Sequence, residues 1–574
     1  MAPGLNLVGI DVSTLDVPAF LGAARTVLPL MTLLGLLAAA KARRAGWLLA
    51  GVLLANAWVF AVTNYPLQRP YALGPSLDRI GNVALCQVVA AGGSPIRTWL
   101  VRQLHFEPFW SFLVAALSGW NPERVLALYP WFPLVMTVAF VLTLFFGLAP
   151  PRGDGAAVTP SAWSDWERAL VAGFATLLAS TPLDFASTYR VPWAMTFLLK
   201  PNHAVALVLF PLFLWLFARV QSGWGRIAAG VVLHVLAWAF VLHMVFVSVG
   251  LFAFAALSLL SHRPSARRDV GDVLVVIGVN AALVSPYLLM LVVGYPFLQP
   301  SPSMVIPASS AHLLEGTVRT GLLFPLALWG GWVAQRRGDR LGRLLAGQLV
   351  GALLVWAGYL VLGAFQLARE RDEAYYWLRF LTAICAGVGA WDLSPRAGSV
   401  LRGWALTPPL RAVAVCVLVL PASLPYWWDP QRMDAYFVGS LEPLPERLVG
   451  PTTYLRRETP PTAVVAGDLN YARWVAALGA RRSLIGWGLN ATPDWAERRA
   501  TWRLLVSGTD GAAVRAAAAA DGVKYLVVTP DLLAYFPGLT LADLEQRPHL
   551  DRVHLTGQPS GDYVAIFRIR PGGA

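Results

Sequence analysis

Charge is scarce in this chain: Asp, Glu, Lys and Arg make up 13% of its 574 residues, while 57% are hydrophobic and the mean hydropathy is +0.57. That much apolar surface exceeds what one soluble core buries, and runs of about 20 apolar residues recur at spanning length. A water-soluble globular fold is excluded, and the composition is that of a polytopic helical membrane protein. Cysteine is scarcer still. Cys86, Cys385 and Cys416 lie far apart, two of them inside apolar segments, with neither a disulfide framework nor metal-binding spacing. Acidic residues are outnumbered 45 to 32 by basic ones, and the net charge of +13 is almost all arginine. The arginines sit mainly in short loops between apolar runs, which fits membrane orientation and anionic headgroups rather than nucleic acid. No basic segment precedes the first apolar run, so residues 1–18 do not read as a cleaved signal. A Walker loop, a dinucleotide fingerprint and a catalytic serine elbow are all missing, and no internal repeat stands out.

What the chain does have is alternation. Apolar segments fall at about 19–39, 45–63, 125–149, 169–182, 203–218, 227–260, 270–293, 320–334, 344–366, 380–393 and 412–427. The run 227–260 is too long for one crossing at about 1.5 Å per residue and is flanked by arginine on both sides, so it is expected to be two short crossings turning near His243. Twelve crossings follow, with six basic loops on one side, among them Lys41, Arg43 and Arg44, then Arg336, Arg337, Arg340 and Arg343. The positive-inside rule makes that side cytoplasmic. Parity then puts the polar stretch 64–124 and everything after 427 outside the cytoplasm. The expected architecture is a transmembrane domain over 1–427 and an extracytoplasmic α/β domain over 428–574, in a multi-pass protein of a bacterial-type plasma membrane. TAVVAG, RRSLIG, KYLVVT and DYVAIFRI read as strands of that second domain, with helical stretches between them. Tyr426, Trp427 and Trp428 mark the outer interface. The run FWSFLVAAL after Pro108 is too short to span, so 64–124 is expected to form helices lying along the surface. The spacing in GQLVG at 347–351 is that of close helix packing.

The outer loop holds residues that could carry chemistry. Asp78 opens an amphipathic helix in SLDRIGNVALCQVVAAGGSP, a Gly-Gly-Ser-Pro turn ends it, and FEPFWSFL begins another. This order resembles the first outer loop of the GT-C superfamily of integral-membrane glycosyltransferases, which transfer a sugar from a polyprenyl-phosphate donor. Further on, the apolar hairpin with His243, the segment YYWLRFLTAICAGVGA, and the pieces YLRRETPPTAVV and KYLVVT are similar to later parts of such enzymes. The resemblance implies a 12-helix GT-C-like fold and inverting transfer on the extracytoplasmic side to an unknown acceptor. A lipid-linked sugar or polysaccharide transporter and a non-catalytic scaffold of the same fold are the alternatives.

The resemblance assigns Asp78 as catalytic base or ligand of a divalent cation such as Mg2+ or Mn2+. Arg79 stands where a second acid is often found, which weakens the case for metal, and an N-cap role after Gly74, Pro75 and Ser76 is equally open to Asp78. Asp184 is a second acid for metal or acceptor, with an interfacial turn after Pro182 as its plain alternative, and Glu107 is a third candidate. Arg79 and Arg97 lie on the side where basic residues should be few, as a phosphate ligand would require. Arg371 and Arg379 repeat the theme, and Arg379, behind Tyr375, Tyr376 and Trp377, is the choice for the lipid phosphate. A salt-bridged surface segment with Glu370, Asp372 and Glu373 competes with it. Lys200, His203 and His243 complete the substrate-binding candidates. A neutral histidine hydrogen-bonded between helices is the commoner state of such buried imidazoles.

Overall fold

The computed structural model describes residues 17–63, 83, 86–87, 89–91, 108–129, 132–149, 163–180, 201–219, 222–294, 323–364, 371–400, 407–423, 446–467, 472–485, 495–559 and 561–571. The chain divides into two compact units, one made of 19–65 and 132–436, the other of 1–18, 66–131 and 437–574.

A helix lies at each apolar segment of the first unit. These are α1 (Val17–Ala42) and α2 (Ala45–Thr63), then α5 (Phe132–Gly147), α6 (Asp165–Ser180), α7 (Pro201–Ala218), α8 (Gly223–Ala239), α9 (Val241–Leu260), α10 (Ala266–Gly294), α11 (Leu323–Arg337), α12 (Arg340–Ala364), α13 (Arg371–Val400) and α14 (Pro408–Ser423). Helices α3 (Pro108–Leu117) and α4 (Pro122–Leu128) belong to the second unit. Three stretches, Val241–Leu260, Ala266–Leu289 and Arg340–Tyr359, are long and apolar enough to cross a membrane by length and composition.

Small residues let the helices approach. A Cβ on Gly351 would stand 2.4 Å from the Gly250 Cα, and one on Gly347 2.6 Å from the Phe254 Cα, so the GQLVG stripe of α12 packs on α9. Gly330 of α11 and Gly389 of α13 face each other in the same way. The break between α8 and α9 is at Phe240, whose φ −161° and ψ 108° are extended, three residues before the expected turn at His243.

Ion pairs reveal how these helices alternate. Asp272, in the first turns of α10, pairs with Arg226 of α8 at 2.6 Å and with Arg340 of α12 at 2.5 Å. Asp269 takes Arg343 of α12 at 2.9 Å and the Ser258 hydroxyl of α9 at 3.0 Å. Arg337, ending α11, pairs with Glu167 at the start of α6. Arg168 donates to the Phe145 carbonyl at the end of α5, and Arg219, ending α7, to the Ala149 carbonyl. Arg411, opening α14, donates to the Trp391 carbonyl and the Ser394 hydroxyl of α13. From α5 to α14, every even-numbered helix therefore begins at this basic end and every odd-numbered helix finishes there. The α8–α9 break is a hairpin, since the Arg226 and Ser258 ends both reach this layer.

In the second unit, α3 and α4 span 10 and 7 residues, too few to cross a bilayer. Asn121 caps α4 by accepting from the Glu123 and Arg124 amides, with Pro122 in the first helical position. The stretch expected to cross from 125 thus begins with this separate helix, and the long apolar helix starts at Phe132. Residues 83, 86–87 and 89–91 are helical, and Val83, Cys86, Gln87, Val89 and Ala90 are buried.

The C-terminal part opens with a short 3-10 turn and α15 (Val449–Glu458), followed by β1 (Val464–Gly467), α16 (Ala472–Gly479), β2 (Arg482–Ser483), α17 (Trp495–Ser507), α18 (Gly511–Ala520), β3 (Val523–Val528), α19 (Pro530–Ala534), α20 (Leu541–Glu545), β4 (Leu550–Gly557) and β5 (Tyr563–Ile569). The sheet order is β2-β1-β3-β5-β4; the first three strands are parallel, and β5 and β4 are antiparallel additions. Leu526, Val527 and Val528 of central β3 are all buried, as a strand covered on both faces requires. The hydrophobic core gathers Trp502, Leu505, Val506, Val514, Leu532 and Phe567 beside it. Burial lowers the Arg481 guanidinium's proton affinity, while Glu123 of α4 raises it, so α4 and this domain act on one another electrostatically. Arg481 donates to the carbonyls of Arg456, Thr459 and Ala480, tying the end of α15 to the sheet.

Candidate active site

Opposite the basic layer, several apolar helices begin or turn. His203 is the third residue of α7, and His243 the third of α9. Both are buried, and their ring centroids lie 5.2 Å apart. Phe240, at the hairpin turn, packs 4.3 Å from the His203 ring and 4.7 Å from that of His243. Trp377, in the second turn of α13, closes on His243 at 4.9 Å and on Phe210 at 5.0 Å. Phe246 and Phe380 extend this aromatic floor. Arg379, two residues after Trp377, is 4% exposed, which is unusual for a guanidinium and places it inside the helical unit rather than on its surface.

Three sequence candidates are therefore gathered at one end: His203 and His243 touch, and Arg379 sits on the same turn of α13 as the Trp377 that touches His243. Arg371 opens α13. Asp78, Arg79, Arg97, Glu107, Asp184 and Lys200 lie outside the described residues, as does Glu370. Sequence reasoning passed over Phe240, Phe210 and Phe246 as ordinary apolar positions, and no spacing signal would have singled them out. It also passed over Asp269 and Asp272, whose signal was available: two acids three apart in the first turns of an apolar helix.

The carboxylates that the resemblance gives to a divalent cation are Asp78 and Asp184. Among the described residues no group of three or more His, Cys, Asp or Glu side chains could hold a metal. The buried carboxylate pair Asp269 and Asp272 is saturated by arginines, so it does not fit a cation either.

No family model matches the chain, and no curated protein does. Among solved structures, the chain is similar to the oligosaccharyltransferase AglB of Archaeoglobus fulgidus in complex with an inhibitory peptide and a dolichol-phosphate, at 14% identity, 84% of this chain and 69% of that one, and a TM-score of 0.43. Structures of the same organism's oligosaccharyltransferase tethered to an acceptor peptide with the NVT sequon, and in complex with Zn and sulfate, give 12% and 13% identity, each over 83% of this chain and 68% of that one, with TM-scores of 0.43. Similarity of this degree says nothing of substrate or site residues. These three structures are all of the oligosaccharyltransferase of Archaeoglobus fulgidus.

Proposed function

We propose that the chain is a GT-C type membrane glycosyltransferase that moves one sugar, with inversion, from a polyprenyl-phosphate donor to an acceptor on the extracytoplasmic side. One observation carries this reading. The helical unit has two chemically distinct ends, one closed by arginine–carboxylate pairs and one where His203, His243 and Trp377 meet, with the buried Arg379 two residues further along α13. Arginine-rich helix ends face the cytoplasm. The opposite end then faces outward, at the depth where the phosphate of an amphiphilic lipid donor lies. The grouping of 66–131 with 437–574 in one unit supports a common side for the outer loop and the C-terminal domain.

In this reading the acceptor hydroxyl attacks the anomeric carbon and gives its proton to the Asp78 carboxylate. The bond from that carbon to the phosphate oxygen breaks, and the phosphate leaves with the electron pair. Arg379 stabilises the charge that develops on it. Asp184, Glu107, Arg371, Arg79, Arg97 and Lys200 remain substrate-contact candidates of the same outward face.

Purified protein assayed with a polyprenyl-phosphate sugar tests these roles. Asp78→Asn keeps the side chain's size and most of its capping ability, so the fold survives while transfer falls by about 10²-fold or more. Undiminished turnover leaves Asp78 as an N-cap only. Arg379→Ala raises the donor's KM, by the loss of a charge-assisted contact worth about 1.5–3 kcal/mol. Donor binding by the wild type without any transfer points instead to a transporter or a scaffold.

A further inference from the structure

The basic end carries more positive charge than its ion cluster uses. Arg226 of α8 and Arg268 of α10 reach the same Asp272 carboxylate, at 2.6 Å and 3.9 Å, and both keep part of their side chains exposed. Arg263 and Arg267 are exposed as well, and neither has an ion pair among the described residues. The Arg263 guanidinium comes to the α11–α12 turn, 3.7 Å from where a Cβ on Gly338 would stand. The loop that carries it is held in place: the Ser261 hydroxyl accepts from the Gln335 side chain at 3.3 Å, and the Ser265 hydroxyl from Arg343 at 2.9 Å.

Apolar surface adjoins these cations. Trp224, two residues before Arg226, is 80% exposed, and Leu260, the last residue of α9, is 75% exposed; no other large hydrophobic side chain among the described residues is as open. Both lie where a bilayer would end, because Leu260, Ala266 and Arg340 are termini of the three stretches long and apolar enough to cross. Exposed indole and leucine favour an apolar cover, and unpaired guanidinium groups favour an anion. One kind of molecule supplies both, with phosphate oxygens at one end and an acyl chain at the other. The loop between α1 and α2 also exposes Lys41, Arg43 and Arg44, but those cations come from a single turn. Here they converge from α8, the α9–α10 loop and α10.

We infer that Arg226, Arg263, Arg267 and Arg268, with Trp224 and Leu260, bind one anionic phospholipid. The guanidinium groups share its headgroup phosphate, and its acyl chain covers Trp224 and Leu260. This lipid is no substrate: it lies at the end of the helical unit opposite His203 and His243. It neutralises the corner and so ties the start of α8 to the α9–α10 loop and the start of α10. The inference goes beyond the glycosyltransferase reading and does not depend on it, since it requires only that this end meets a membrane surface.

The test is lipid binding to the full-length protein in neutral detergent, read by native mass spectrometry and by thermal unfolding. Phosphatidylglycerol is the anionic lipid, phosphatidylcholine the zwitterionic control and glycerol phosphate the soluble anion. Wild type retains one phosphatidylglycerol, melts at a higher temperature in its presence, and gains nothing from phosphatidylcholine. Arg263→Gln together with Arg267→Gln leaves the Asp269 and Asp272 ion pairs intact, so the fold survives while affinity for phosphatidylglycerol falls by about 10- to 30-fold. Trp224→Ala, at a side chain mostly open to its surroundings, weakens binding several-fold and carries the same conclusion should the double variant fail to purify. Lys41→Gln together with Arg44→Gln removes the same charge from the α1–α2 loop and leaves the affinity unchanged. An equal loss in that control variant would reduce the effect to bulk positive charge and overturn the site. So would equal retention of phosphatidylglycerol and phosphatidylcholine, or unaltered affinity in the arginine and tryptophan variants. Glycerol phosphate that displaces the lipid at similar concentration would give the corner to a soluble anion and contradict the lipid assignment.

Discussion

The two ends of the helical unit solve the problem of buried polar groups in opposite ways. At the basic end, Asp269 and Asp272 are buried and surrounded by Arg226, Arg340 and Arg343, with Ser258 and Ser265 filling remaining acceptor positions. Glu167 is held by Arg337, and Asp392 accepts from the Trp329 indole. At the opposite end, His243 and Trp377 keep ring N–H groups without acceptors among the described residues. An ion cluster spread over four helices locks their ends in register. Unpaired buried donors add nothing to the stability of the fold. Ionic pairing is therefore concentrated at one end and unpaired buried donors at the other.

Removing a carboxylate from the ion cluster has the largest expected effect. Asp272→Ala leaves Arg226 and Arg340 facing each other without their shared partner, a loss of about 3–5 kcal/mol for breaking a buried ionic group. It is read as a lowered unfolding temperature of the purified protein, whereas His243→Phe at the other end costs no stability. Equal destabilisation by both variants would erase the distinction between the ends.

A smaller effect is expected from a third buried imidazole, outside the helical unit. His549 precedes β4, is 0% exposed and has neither nitrogen hydrogen-bonded among the described residues. Burial, then Arg547 and Arg515, lower its proton affinity below the usual 6.5, against a weaker opposing influence of Asp510. The unfolded chain therefore takes up this proton first. Stability is full above about pH 6.5, falls as pH drops below that value, and stops falling once the folded state is protonated too. Hydrogen exchange of the β3 and β5 amides, corrected for intrinsic rates, should quicken between pH 7.5 and 5 in the full-length protein, and His549→Phe should flatten that trend.

Much of this was legible in the residues. Apolar runs located the long helices, since periodic burial and spanning length leave a strong imprint, and the 34-residue run was read as a hairpin because arginines flank both of its ends. Its break falls at Phe240 rather than His243, a difference that apolarity on both sides of the turn conceals. The expected crossing from residue 125 starts late because Asn121 and Pro122 nucleate α4 as a separate helix. Strand β4 was missed: as an edge strand its residues are mostly half-buried, so LDRVHLTG shows no clean alternation. Pairing was the least legible property. His203 and His243 are 40 positions apart, and Asp272 reaches Arg340 across 68; no local pattern encodes such meetings. Asp78, the proposed base, is legible only through the resemblance of its loop.

The proposed orientation puts the two ends on opposite sides of a membrane, and site-directed labelling tests that directly. The native Cys86, Cys385 and Cys416 are buried, so they leave the background low. Introduced cysteines at Ala516, exposed on α18, and at Pro264, exposed in the loop between α9 and α10, report the two sides. In cells with an intact plasma membrane, an impermeant maleimide should label Ala516→Cys at once and Pro264→Cys only after lysis. Labelling of Pro264→Cys in intact cells, with Ala516→Cys protected, would turn the molecule over and put the histidine end and the proposed chemistry in the cytoplasm.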